Sequence, residues 1–198
     1  MRVLNKEELE QHQYLLLRSL KKSIFIYPTD SIYGIGCDAT NEKLVEKIRE
    51  LKNSTLQAFS VIAPSKNWIY ENCEVSEQAK TWIEKLGKPI KIDGEVRGVS
   101  LILKLKNKKS VAHNVLQGKD TLSVRLPHHW FTSYVEKMSV PIVTTSANPT
   151  GGNFMTSLDN LHERIKKETA YCIYEGEKNG SPSTLIHLYK EEISMDKR

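Results

Sequence analysis

Apolar positions in the first twenty residues recur with a helical period. Leu9, Leu16, Leu17 and Leu20 form one stripe behind a start signal: Asn5 caps, Glu8 follows three residues later, and Leu4 packs on Leu9. The period then shortens. "SIFIY" is β-branched and aromatic and stops at Pro28, which predicts a buried strand delivering "PTDSIYGIG" at its C-terminal end. Helical spacing returns after Thr40 or Asn41, where Leu44, Val45, Ile48 and Leu51 share a face and Lys52 falls at the helix's C-terminal end.

Farther along, "FSVIAP" reads as a strand. "SEQAKTWIEKLG" reads as a helix with Ala79, Trp82, Ile83 and Leu86 inward and Gly87 as terminator. "VSLILKL", "TLSVRL", "VPIVTTS", "AYCIY" and "STLIHL" have the composition of further strands. Helices are predicted over 129–138 and 157–168, the second with Leu158, Leu161 and Ile165 on one stripe. βα units mixed with neighbouring strands predict an α/β fold, a twisted mixed sheet flanked by helices. No repeat or linker interrupts residues 1–198, which read as one domain.

Composition narrows the function classes. No apolar run approaches the ~20 residues that cross a bilayer, so no membrane partner is expected. The N-terminus lacks a leader's apolar core, and Cys37, Cys73 and Cys172 have no metal-ligand spacing, so a reducing cytoplasm is expected. The net charge is +5, with lysines grouped at Lys104, Lys106, Lys108 and Lys109, at Lys21 and Lys22, and at Lys166 and Lys167 beside Arg164. Such groups suit phosphates, nucleotides or RNA, and equally a solvated surface.

The candidate chemistry begins at Gly34 and Gly36, which with Ala39 match the letters of a dinucleotide fingerprint. The context fails: Pro28 to Tyr33 separate the glycines from the strand, and "STLQAF" supplies no acid where ribose would be bound. The glycines are read instead as turn residues with freedom for positive φ. "TTSANPTGG" (Thr144 to Gly152) follows an apolar strand with hydroxyls and backbone donors, suited to an anion site or to an ordinary capped turn. Arg125, just before Leu126 and Pro127, suits a bidentate carboxylate or a surface salt bridge, and Ser183 and Thr184 open the last long strand.

Taken in order, "PTDSIYGIGCDA", "ELK", "SVRLP", "TTSANPTGG" and "PSTLIHL" resemble the YrdC-like threonylcarbamoyl-AMP synthase family over nearly the whole chain. The resemblance implies an open α/β fold with a large basic concave cavity. It implies a nucleotidyltransferase that joins L-threonine, bicarbonate and ATP, with Mg2+, into threonylcarbamoyl-AMP and pyrophosphate. It also implies partner proteins that transfer the threonylcarbamoyl group to adenosine 37 of tRNA, with tRNA or double-stranded RNA as candidate partners. By motif position, Thr29, Ser31, Tyr33, Arg125, Thr144 and Ser183 are expected around threonine. Lys52, Thr121, Ser146 and Asn148 are expected around the nucleotide. No residue is expected to act as a nucleophile; the site works by positioning.

The chain departs from the family on the phosphate side. Ser54 and Thr55 stand where the family has arginine and proline after its lysine, Ala58 and Phe59 replace polar and small residues, and Ala63 replaces a histidine. Gly98 is kept, Ser100 stands for threonine, and the C-terminus has only Lys197 or Arg198 in place of an R-P-G element. A serine cannot clamp phosphate bidentately. The departures leave a second reading, a diverged paralogue that binds RNA or a related nucleotide without making the adenylate.

Overall fold

The computed structural model describes residues 1–54, 56–190 and 192–197; Thr55 and Arg198 lie outside the described residues. The elements run β1 (Arg2–Leu4), α1 (Lys6–Gln11), α2 (Gln13–Leu20), β2 (Phe25–Tyr27), β3 (Gly34–Gly36), α3 (Glu42–Lys52), β4 (Ser60–Ile62), α4 (Lys66–Asn72), α5 (Glu77–Lys85), β5 (Lys91–Ile92) and β6 (Glu95–Val96). They continue with β7 (Val99–Lys104), α6 (His113–Leu116), β8 (Thr121–Arg125), α7 (Thr132–Met138), β9 (Ile142–Ser146), α8 (Glu163–Glu168), β10 (Tyr171–Ile173), β11 (Thr184–His187) and β12 (Ser194–Asp196). Ten strands form one sheet in the order β1-β10-β2-β3-β9-β4-β8-β7-β11-β12. The pairs β1/β10, β10/β2, β4/β8 and β7/β11 are parallel and the others antiparallel, so the sheet is mixed as expected.

Alternation along the strands sends side chains into two cores. Ile26, Ile35, Val61, Val124 and Val143 join Val45 and Ile48 of α3, Ile83 of α5, Val115 of α6 and Ile165 of α8. Phe25, Tyr27, Ile62 and Ile142 join Leu9 of α1, Leu16 and Leu20 of α2, and Tyr134 and Met138 of α7. Helices therefore cover both faces. Each fully buried Leu, Ile or Phe contributes roughly 1.5–3 kcal/mol of transfer free energy.

The first helix starts as predicted, with reciprocal bonds between Asn5 and Glu8, but His12 (φ −114°) breaks it into α1 and α2. Helices α7 and α8 are shorter than the predicted 129–138 and 157–168. The glycine pair is not a turn. Gly34 and Gly36 form β3 inside the sheet, and neither has positive φ. A Cβ on Gly36 would lie 2.0 Å from the Val143 carbonyl oxygen, and one on Gly34 would lie 3.0 Å from the Tyr27 ring. Glycine is required here by close approach of neighbours, not by turn geometry.

Candidate functional site

The sheet's middle strands carry a cavity of about 370 Å³. Its lining crosses from Gly34 of β3 through Thr144 and Ser146 of β9, Ser60 of β4 and Arg125 of β8 to Ser100 of β7, with Ser183 just ahead of β11. Along β8, Leu122 and Val124 enter the core, and the alternate residues Ser123 and Arg125 take the other face. Ser60 and Ser123 are cross-strand partners joined through their hydroxyls at 2.8 Å.

One end is built on the loop after β2. Thr29 Oγ1 donates to the Ile32 carbonyl at 2.8 Å, accepts from the Ser31 amide at 3.1 Å and lies 3.0 Å from Ser31 Oγ. This bonding turns the chain without a glycine and sets both hydroxyls in the cavity wall. Arg125 is 5% exposed; its Nη2 pairs with Asp30, whose other oxygen accepts from the His128 amide at 2.9 Å. Its Nε is buried with no partner among the described residues, and such an orphan donor costs about 1–3 kcal/mol until an acceptor arrives. Ser183 Oγ lies 2.9 Å from Ser100 Oγ.

Tyr33 lines the same end, but its hydroxyl is already engaged. It donates to the Gly176 carbonyl at 2.7 Å and accepts from the Glu175 amide at 3.1 Å, and its ring stacks on Tyr174 at 5.6 Å. Burial raises its pKa above the usual phenol value. Tyr33 thus anchors the segment from Tyr174 to Ser183, which crosses this end of the cavity. Gly180 lies against the Ser31 backbone, where a Cβ would come within 2.1 Å of the carbonyl oxygen.

The other end belongs to Lys52 and the loop after β9. Lys52 is 5% exposed, and its Nζ donates to the carbonyls of Ser146 and Asn148, each at 2.7 Å. Burial lowers its pKa to about 8. An ammonium has three donors, so one remains for a ligand. The loop is closed by the Thr150 amide on the Lys52 carbonyl at 2.9 Å and by Asn148 Nδ2 on the Gly152 carbonyl. Asn148 Oδ1 is buried and has no partner among the described residues.

Thr29, Ser31, Tyr33, Lys52, Arg125, Thr144, Ser146, Asn148 and Ser183 are thus brought to one cavity. Thr121 is not among its lining residues. It shares the Arg125 face of β8 but stands at the strand's start, roughly 13 Å away at ~3.3 Å per residue. Sequence reasoning missed Asp30, Ser60 and Gln57, and met Ser100, Ala58 and Phe59 only as departures from the family pattern. Asp30 had a legible signal, being an acid inside a run of hydroxyl residues in a chain that needs a partner for a buried arginine. Ser54 is buried; its amide donates to the Arg49 carbonyl at 3.0 Å. No thiol is among the cavity's lining residues: all three are free and buried, and burial pushes Cys73 and Cys172 up to about 12 and Cys37 higher still.

The Sua5–YciO–YrdC family model, described as telomere recombination, matches residues 19–196. A protein of Methanocaldococcus jannaschii is 31% identical over 194 residues, covering 96% of this chain and 86% of its own. A threonylcarbamoyl-AMP synthase of Idiomarina loihiensis is 30% identical over 182 residues, with 90% and 94% covered. Among solved structures, P. abyssi Sua5 complexed with L-threonine superposes with a TM-score of 0.82 at 22% identity, over 98% of this chain and 56% of that one. E. coli YciO gives 0.79 at 19%, over 98% and 92%. The chain therefore spans little more than half of the Sua5 length, and these structures establish the fold.

Proposed function

The chain belongs to the Sua5–YciO–YrdC family, and we propose that its cavity is the site of an L-threonylcarbamoyladenylate synthase. The enzyme joins L-threonine, bicarbonate and ATP into threonylcarbamoyl-AMP and pyrophosphate. Partner proteins then place the threonylcarbamoyl group on adenosine 37 of tRNA. The observation that carries the reading is one cavity with two differently built ends. A buried guanidinium with an unpaired Nε stands among hydroxyls at one, and a buried ammonium with a loop of backbone and amide groups stands at the other.

The chemistry needs juxtaposition more than a nucleophile. Arg125 holds the threonine carboxylate beside the Thr29, Ser31, Thr144 and Ser183 hydroxyls. The threonine nitrogen bonds the bicarbonate carbon with loss of water, and the resulting carbamate oxygen attacks the α-phosphorus as the bond to pyrophosphate breaks. Lys52 neutralises phosphate charge through its remaining donor, and Ser146 and Asn148 hold the nucleoside. Fixing three reactants in one cavity replaces a ternary collision by a unimolecular step, an effect worth up to ~7–11 kcal/mol per pair of reactants.

The described lining residues carry no carboxylate, and no group of three His, Cys, Asp or Glu among the described residues suits a metal. Magnesium would accordingly be carried on ATP as part of the substrate, where it would neutralise phosphate charge. Among the described residues no helix is long and apolar enough to cross a membrane. The free thiols and the use of ATP and tRNA support a cytoplasmic enzyme.

The test is incubation with bicarbonate, magnesium and ATP, with and without threonine. Pyrophosphate release that requires threonine, with threonylcarbamoyl-AMP identified by mass, is the expected result. Release that ignores threonine, or none at all when the Idiomarina loihiensis relative reacts in parallel, overturns the reading.

A further inference from the structure

Arg49 sits on the buried face of α3, three residues before Lys52, and is only 4% exposed. Its guanidinium meets carbonyls rather than a carboxylate. Nε donates to Asn114 at 2.7 Å, Nη1 to Gln57 at 2.9 Å and to Ser54 at 3.2 Å, and Nη2 approaches Val115 at 3.5 Å. The group also lies over the Phe59 ring, 4.3 Å from its centroid. Among the described residues Arg49 forms no ion pair. The nearby Glu46 carboxylate instead accepts from Asn114 Nδ2 at 3.1 Å. Burial lowers the Arg49 pKa, and Glu46 opposes this only in part. Burying a cation without a counter-charge costs several kcal/mol unless its donors are filled, and here backbone carbonyls fill them.

The carbonyls belong to two separate pieces of chain. Ser54 and Gln57 lie in the connection from α3 to β4, and Asn114 and Val115 lie in α6. Gln57, Ala58 and Phe59 form one wall of the cavity, and the Phe59 amide is itself bonded to the Val115 carbonyl at 2.9 Å. Lys52, on the same face of α3, binds the opposite wall through Ser146 and Asn148. Two cations on one helix face therefore hold the two walls that bracket one end of the cavity.

We propose that Arg49 is a positioning residue for the nucleotide: it fixes the Gln57–Phe59 wall against α6 and so shapes the Lys52 end of the cavity for ATP. The identity of the ligand rests on the synthase reading; the role of Arg49 rests on the geometry.

Two variants separate the outcomes. Arg49→Met keeps the apolar stem and removes every donor. Arg49→Lys keeps the charge but replaces the planar fork, which meets four carbonyls through three nitrogens, with a single ammonium nitrogen. Titration calorimetry with ATP and threonine separately is expected to show ATP affinity reduced about tenfold or more in both variants, with threonine affinity within about twofold of wild type. Amide exchange at Gln57 to Phe59 is expected to be faster in Arg49→Lys. Unchanged ATP affinity in Arg49→Lys, or equal losses for both ligands, would mark Arg49 as merely structural and overturn the proposal. Should Arg49→Met fail to fold, Arg49→Lys alone decides. A wild-type protein that binds ATP yet makes no adenylate overturns the synthase reading and leaves this comparison intact.

Discussion

Under the proposed function, Lys52 is the residue at which burial and ligand binding meet. Its ammonium is committed to two carbonyls of the loop after β9, and desolvation brings its pKa down to about 8. On that reading the protonated form would offer the third donor to phosphate, and a bound polyanion would stabilise that form. ATP affinity is therefore expected to fall as pH rises above about 8, because binding must then recover a proton. Lys52→Met is expected to bind ATP weakly and with a flat profile between about pH 7.5 and 9.5. Calorimetric titrations across that range check it, and parallel profiles for the two proteins would refute it. The apolar stripe placed Lys52 at the end of a helix, and the family resemblance through "ELK" marked it as a site residue. Arg49 was not legible, because an arginine on the same stripe looks like its solvated edge until the carbonyls it binds are brought in by α6.

Among the elements, the segment from Tyr174 to Ser183 is held by Glu175 as well as by Tyr33. The Glu175 carboxylate accepts from His129 at 3.0 Å, from Trp130 Nε1 at 2.6 Å and from Lys178 at 2.6 Å. Burial alone would raise its pKa, but these bonds outweigh burial and hold it at about 2. A carboxyl held below its unfolded value of about 4.5 stabilises the fold above that pH, and the stabilisation is lost as pH falls through 4.5 toward 2. Glu175→Gln is expected to unfold at lower urea than wild type at pH 7, with the deficit shrinking as pH drops from about 5 to 2. A deficit that does not change over this range would exclude the network as its source. Nothing in the local sequence announces this segment. Its bonds reach residues about forty-five positions away at His129 and Trp130, and farther still at Tyr33. Elements with their own periodicity, such as α3 and α5, were legible, as was the start of α1. Strands of three residues such as β1 and β12 were not, since pairing with β10 and β11 creates them. The β5/β6 hairpin had a signal that was passed over: Asp93 and Gly94 both have positive φ, the geometry an Asp-Gly pair favours between strands.

For the molecule as a whole, the cavity exists only when the sheet is complete. Its lining draws on residues from Thr29 to Ser183, so neither threonine nor ATP finds a site in the unfolded chain. Each ligand should then raise the unfolding temperature independently. At one hundred times its Kd a ligand adds about 2.7 kcal/mol, roughly 5–10 °C for a chain of this size. Arg125→Lys divides the two effects. Lysine can keep the ion pair with Asp30, but it lacks the second donor edge that the buried and unpaired Nε offers to a carboxylate. A tenfold loss of threonine affinity would cut the threonine contribution at the same concentration to about 1.4 kcal/mol, roughly half. The ATP shift should stay at its wild-type size, because Lys52 and the loop from Ser146 to Gly152 are untouched. Thermal scans with each ligand alone give both numbers from one preparation. If the two shifts shrink together, Arg125 supports the fold of the whole cavity rather than the threonine end; if neither changes, the carboxylate is bound elsewhere.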